Sequence, residues 1–527
     1  MQIMAKVIDH TEAAALVPEG ATIWIGGSGG GHAVPEKLIE GLEQRFLATG
    51  KPRALNIIST VGLGDWKEAG VGRLAHPGLV NRLVSGTFSN CPKMGQLALQ
   101  GEIEAYTFPM GVMSQLSREM AAGRPGLITH VGLHSFVDPR LEGGRQGTRR
   151  GPDLVEVIRL AGREWLFYEG YDLDVAFIRA TTADEKGNLT MEKEPIFAEN
   201  LSIAQAAHRR GGTVVAQVER LAKVGTLPGK QVKVPGILVD YVVVDPDPWQ
   251  TYVVKYDPAY AGEMRKPDAD IPVLPMDIRK VVARRASMEL RPRAVVNLGF
   301  GMANGIAFVA AEEGIYQEVT LTVEQGLIGG VPALGNDSGA ATNYEAMIDT
   351  PYQFDFYDGG GLDLAFLSFA EVDSHGNVNV SKFRDGVTGP GGFTNIAQNA
   401  KRVFFLGSLT AGEAELRLTG RGIEVVKEGN LRKFVPEVQQ VTWSGPFAMR
   451  QGQPARFITE RAVFDLTSDG MVLIEVAEGI DIQRDVLDQI PFPVLIPGEP
   501  AKMDPRIFAP EPMGLREDPM WRGEGKR

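Results

Sequence analysis

Apolar positions along the chain switch repeatedly between short β-rich runs and longer helical spacings, the alternation of an α/β protein. Thr11 through Val17 reads as a short helix, stopped by the turn Pro18-Glu-Gly20. Ala21-Thr-Ile-Trp-Ile25 then reads as a strand, running into Gly26-Gly-Ser-Gly-Gly-Gly31 and a helix from about Pro35 through Leu42. The same strand, glycine loop and helix return as Ala294–Leu298, Gly299–Gly305 and Ile306–Glu313, closed by Gly314.

A second echo has a fixed offset. Asp174-Val-Ala-Phe177 followed by Asp184-Glu-Lys-Gly187-Asn188 matches Asp363-Leu-Ala-Phe366 followed by Asp373-Ser-His-Gly376-Asn377, 189 residues later. A third, Ala204-Gln205 with Thr213-Val-Val-Ala against Ala397-Gln398 with Val403-Phe-Phe-Leu, keeps the order. Three ordered echoes predict two related open α/β domains, 1–244 and 277–515. A Pro- and Asp-rich linker, 245–276, joins them, a tail covers 516–527, and a helix is expected from near Asp277. Each Asp-x-x-Gly-Asn is expected to be a tight structural turn.

A length of 527 residues exceeds what one core supports, in agreement with two domains. The net charge of −12 and the lack of basic clusters argue against nucleic acid or anionic lipid as partners. No run approaches the ~18 apolar residues of a membrane span, and the N-terminus lacks a signal-peptide pattern, so a cytoplasmic protein is expected. The single cysteine, Cys91, fits a reducing compartment and reads as a small packed thiol. The scattered histidines show no ligand spacing; no metal and no permanently bound cofactor are expected.

Candidate chemistry centres on Thr320-Leu-Thr-Val-Glu324-Gln-Gly-Leu-Ile-Gly329-Gly330-Val-Pro332. Here a strand delivers one carboxylate into a glycine-rich turn, and ligands of parallel sheets gather at the carboxyl ends of strands. A solvated strand-end acid would look the same locally. The second half also carries Asp358-Gly-Gly-Gly361 and Gly386-Val-Thr-Gly-Pro-Gly391-Gly392-Phe. Such loops bring backbone N–H groups close to a ligand, as a phosphate or a developing oxyanion requires. No loop has P-loop spacing, and Gly299-x-Gly301 lacks the third glycine of a dinucleotide loop.

At Glu324-Gln-Gly-Leu-Ile-Gly-Gly-Val-Pro the sequence resembles the family I coenzyme A transferases of the long single-chain acetate/propionate and 3-oxoacid type. The resemblance extends over Gly26–Gly31, Ser135-Phe-Val-Asp-Pro-Arg140, Asp349–Gly361, Gly391–Lys401 and Thr459-Glu-Arg-Ala-Val-Phe464. It implies two related open α/β CoA-transferase domains in one chain, acyl-CoA and carboxylate substrates with coenzyme A as a substrate, and a homodimer or homotetramer. It implies that Glu324 is the covalent nucleophile and that Gly392, beside Gly391, donates an oxyanion N–H. Gly29, Gly30 and Gly31 are expected to face the same cleft, with Lys401 a candidate for the CoA phosphates. One departure is Met110 in Thr107-Phe-Pro-Met110-Gly-Val-Met-Ser-Gln115, where the family usually has glutamine; a polar substrate contact is expected to be lost, favouring a larger or more apolar acid. His32 is a further change expected in the pocket. An acyl-CoA hydrolase on the same scaffold and a non-catalytic CoA-binding protein remain alternatives.

Overall fold

A computed structural model describes residues 5–384 and 386–522. The first half is built on an eight-stranded sheet from β1 (Lys6–Ile8), β2 (Thr22–Ile25), β3 (Leu55–Ile58), β4 (Val80–Ser85), β5 (Glu104–Thr107), β6 (Val175–Arg179), β7 (Thr213–Val218) and β8 (Tyr241–Val244). Its order is β1-β8-β7-β6-β2-β3-β4-β5, and every pairing is parallel. Strands covered on both faces need apolar residues throughout, which is why β6, Val-Ala-Phe-Ile-Arg, is buried at every position.

The second half has a ten-stranded sheet with a parallel centre: β9 (Val295–Leu298), β10 (Thr320–Val323), β11 (Leu364–Ser368), β12 (Arg402–Leu406) and β13 (Ala455–Ile458), ordered β10-β9-β11-β12-β13. This is the order β3-β2-β6-β7-β8 of the first half, so the echoes in the sequence correspond to one repeated topology. The extra strands of the second sheet include the antiparallel neighbours of β10 and β13.

Helices match the expected places with shifted ends. The first covers α1 (His10–Ala15), capped by Asp9 in a reciprocal box with Glu12. The helix expected to stop near Leu42 continues as α2 (Glu36–Thr49) to Gly50 in the left-handed region. Met110–Ala121 (α3) and Asn200–Arg209 (α4) follow in the first half. In the second half, Asp277 caps α5 (Ile278–Ser287) through the Lys280 N–H, and α6 (Gly305–Glu312), α7 (Thr350–Asp358) and α8 (Phe393–Asn399) complete the set used below. The two Asp-x-x-Gly-Asn turns are alike: Asp184 accepts the Lys186 and Asn188 N–H at 2.9 and 3.0 Å, and Asp373 accepts those of His375 and Asn377 at 2.9 and 3.0 Å.

The stretch 245–276 does more than connect. Gln250 and Thr251 are buried, Thr251 donates to Asp337 at 2.6 Å, and the Tyr252 N–H donates to the Gly30 carbonyl at 2.7 Å. The C-terminal segment packs on α5: Arg284, fully buried, donates to the carbonyls of Ala509 and Glu511, while Ile507, Phe508, Met513 and Leu515 enter the second core. Of the expected tail 516–527, residues past 522 lie outside the described ones. Among the described residues, no helix is long and apolar enough to cross a membrane, and no three His, Cys, Asp or Glu are grouped to hold a metal.

Candidate active site

In both sheets the strand order reverses where the glycine-loop strand meets the Asp-x-Ala-Phe strand, β2 beside β6 and β9 beside β11. Such a switch opens a crevice at the carboxyl ends of the strands. In the second half that crevice is a cavity of about 440 Å³. Its walls come from the ends of β9, β10 and β11, the loop before α8, and, from the first half, Gly29, Val61, Trp66 and Asn90.

Glu324 follows the last residue of β10 directly. The turn after it is fixed by Gly326, which has a φ of +110° and whose added Cβ would lie 2.1 Å from the Ile348 carbonyl oxygen, so only glycine serves there. Among the described residues Glu324 is the sole charged side chain lining the cavity. Burial pushes its carboxyl up to about 7, against a weak pull downward from the Gln325 amide at 3.5 Å.

Gly392 caps the N-terminus of α8 and lies against this carboxylate: a Cβ there would sit 1.7 Å from Glu324 Oε2. The neighbouring Gly391 N–H is taken by the Gly86 carbonyl at 2.8 Å, whereas no protein acceptor takes the Gly392 N–H among the described residues. A free donor at a helix start beside the acid is suited to developing negative charge.

The other expected residues divide. Gly29 lines the cavity as expected, but Gly30 and Gly31 do not: Gly30 is pressed against the Asn336 carbonyl and Gly31 against Tyr252, where it lines a separate cavity with Glu36 and Arg73. Met110 does not line it: the side chain is buried in the second core and its N–H donates to the Gly391 carbonyl at 2.7 Å, so Met110 bears on the Gly391-Gly392 loop through its backbone. Lys401 precedes β12, at the amino ends of the parallel strands whereas Glu324 stands at their carboxyl ends, and is paired with Asp363 at 2.7 Å. The expectation that Lys401 meets the CoA phosphates is therefore corrected by its position. His32 is fully buried behind the wall; burial pushes it down to about 4, against backbone contacts at Asp337 and Ser28 that pull it up, so it is neutral. Cys91 is buried and its thiol pushed up to about 12.

Strand register exposes a pair that the sequence reading missed. Ile23 pairs with Ile57 and Val175, as Val296 pairs with Leu321 and Leu364. Ile57 is thus the counterpart of Leu321, and Thr60, three residues on, is the counterpart of Glu324. By the Ala-Gln echo in α4 and α8, five residues beyond each cap, Glu199 is the counterpart of Gly392. The first half therefore carries the acid on the helix cap and the short polar residue on the strand end. Glu199 is buried at 2% exposure, burial pushing it up to about 7 although the Thr60 hydroxyl draws it down.

Because its folded value is raised, Glu199 stabilises fully below its ordinary value near 4.5, and that stability is lost as the pH climbs through about 7. Glu199→Gln is accordingly expected to match the native protein at pH 5 and exceed it at pH 8 by on the order of 2 kcal/mol. Thermal unfolding at the two pH values measures the difference; equal melting shifts at both would rule this out.

Comparison with known proteins gives the class first. The coenzyme A transferase family model matches residues 7–245. A caffeate CoA-transferase of Acetobacterium woodii is 45% identical over 520 residues, covering 97% of this chain and 99% of its own. Acetate CoA-transferase YdiF of Escherichia coli K12 is 43% identical over 510 residues, 97% and 96% of the two chains. A solved structure of the acyl-CoA transferase YdiF of E. coli O157:H7, a thioester complex with CoA, is similar at a TM-score of 0.92, with 42% identity and 97% of each chain covered. The chain belongs to the coenzyme A transferases, in the fused single-chain form, and is an enzyme that transfers CoA.

Proposed function

We propose that the enzyme moves CoA from an acyl-CoA to a carboxylic acid by ping-pong covalent catalysis through Glu324. The observation that carries this reading is a cavity carboxylate, the sole charge lining the cavity among the described residues, raised to about 7 and lying against the glycine cap of α8. The Glu324 carboxylate attacks the acyl carbonyl, and collapse of the tetrahedral oxyanion expels CoA thiolate, leaving an acyl-glutamyl anhydride. The thiolate attacks the glutamyl carbonyl and releases the first acid, giving a glutamyl-CoA thioester. The acceptor carboxylate displaces the thiolate to form a new anhydride, whose acyl carbonyl the thiolate then takes. Glu324 returns as carboxylate, and the thioester energy is kept throughout, so no ATP is consumed.

Burial raises the basicity of the nucleophile and keeps water from the anhydride. In this reading the Gly392 N–H donates to the oxyanions, a contribution on the order of 3 kcal/mol per donor; the nearness of Gly392 to the carboxylate supports it. A dicarboxylic substrate would bring a second negative charge into a cavity that offers no cation among the described residues. The cavity therefore favours a monocarboxylic acid with an apolar chain. The relatives named for caffeate and for acetate are about equally similar, so the lining is the better guide.

Incubation with acetyl-CoA followed by mass analysis of the Glu324 peptide tests the covalent step: a CoA adduct is expected, and its absence would refute it. CoA release without added acid would point instead to hydrolysis. Only the ionised free enzyme attacks, so kcat/KM is expected to rise about tenfold per pH unit below 7 and level off above it, in a stopped assay from pH 5 to 9.

A further inference from the structure

Of the six tryptophans, all among the described residues, Trp66 is the one that lines the cavity holding Glu324. Trp24 and Trp443 are 0% and 1% exposed within the cores, whereas Trp66 is half-exposed and lines the cavity that holds Glu324. Its φ is +65°, a region that a bulky residue enters only at a cost of about 1–3 kcal/mol.

The surrounding loop imposes that conformation. The Trp66 N–H donates to the Asn90 carbonyl at 3.0 Å, and Asp65 Oδ1 accepts the N–H groups of Lys67, Glu68 and Ala69 at 3.0, 2.8 and 2.9 Å. Gly64 admits no side chain, since a Cβ would meet the Asn90 carbonyl oxygen at 2.2 Å. Several contacts thus jointly enforce a strained backbone that sets an apolar ring into the cavity lining, with the ring edge over Gly30. It fits a ring held ready for a ligand. From the other half, Phe300, between Gly299 and Gly301, lines the same cavity and is 61% exposed.

Resting on the Glu324 reading, we propose that Trp66 is a specificity-determining residue: its indole forms a wall for the acid's chain and selects flat, unsaturated or aryl monocarboxylates over acetate. A rigid ring contacts a flat chain over a large area, with little ordering cost, and a two-carbon acid does not reach it.

The test uses the full-length enzyme with acetyl-CoA as donor and 3-phenylpropenoate as the aryl acceptor. Propionate reports transfer to a short acid. Trp66→Ala is expected to lower the ratio of kcat/KM for 3-phenylpropenoate to that for propionate about tenfold or more, and Trp66→Phe to recover most of that ratio. Equal losses for both acids would overturn the proposal, as would a raised KM for acetyl-CoA with selectivity unchanged, which would give the indole to CoA itself. A native enzyme that does not use 3-phenylpropenoate would overturn it too. The acetyl-CoA adduct on Glu324 is scored separately, so loss of the covalent reading is distinguishable from loss of this one.

Discussion

Glu324→Gln is expected to lower turnover by at least about 10⁴-fold while leaving the fold intact and, by the same linkage as at Glu199, raising its stability at pH 8 by on the order of 2 kcal/mol. Glutamine keeps the shape of the side chain and its contact with Gln325. An amide cannot form the anhydride, so the reaction loses its route and not merely some of its acceleration. Removing charge from a buried site costs the fold nothing, because burial already raises the carboxyl to about 7 and half of it is neutral at that pH. Glu324→Asp retains the acid but withdraws it by one methylene, roughly 1.5 Å, enough for a loss on the order of 10²-fold or more. Steady-state transfer at pH 8, with calorimetry of each variant, gives both values. A glutamine variant within tenfold of the native rate would remove Glu324 from the mechanism.

Gly392→Ala should fail for a different reason. The Gly392 φ of −80° accepts any residue, so backbone conformation is not the obstacle. The new Cβ would lie 1.7 Å from Glu324 Oε2 and 2.7 Å from its Cδ, which forces the carboxylate aside. A nucleophile displaced by about 1 Å, with its oxyanion donor shifted as well, is expected to lose about 10²–10³-fold in kcat, with little loss of stability. Gly391→Ala is the control: φ is +53° but nothing lies within 4 Å of the added Cβ, so backbone strain costs about 1 kcal/mol and activity falls much less. Comparable activity in the two variants would show that the contact with Glu324 does not matter.

Much of the architecture was legible because it is written locally. Alternating runs marked β2 and β9, Gly26–Gly31 and Gly299–Gly305 marked the loops after them, and the constant offset of 189 between the Asp-x-Ala-Phe elements revealed the duplication. Helix ends were less legible: α2 outruns its expected limit because Phe46 packs on the first core and Arg45 donates to the Ala14 and Val17 carbonyls. Trp66 carried a faint signal, a large aromatic among glycines in Gly62-Leu-Gly-Asp-Trp66, that passed unnoticed because left-handed backbone at tryptophan cannot be read from composition.

From the sequence alone came the two α/β halves, the position of Glu324 at a strand end, and the glycines able to serve it, since strand period and glycine freedom act within a few residues. Tertiary structure alone decided that Glu324 is, among the described residues, the only charge lining its cavity, that Gly392 touches it, that Lys401 lies at the opposite ends of the strands, and that Thr60 and Glu199 occupy the mirrored places. Burial, pKa and contact depend on segments tens to hundreds of residues apart brought within a few ångströms, and no local pattern encodes that distance.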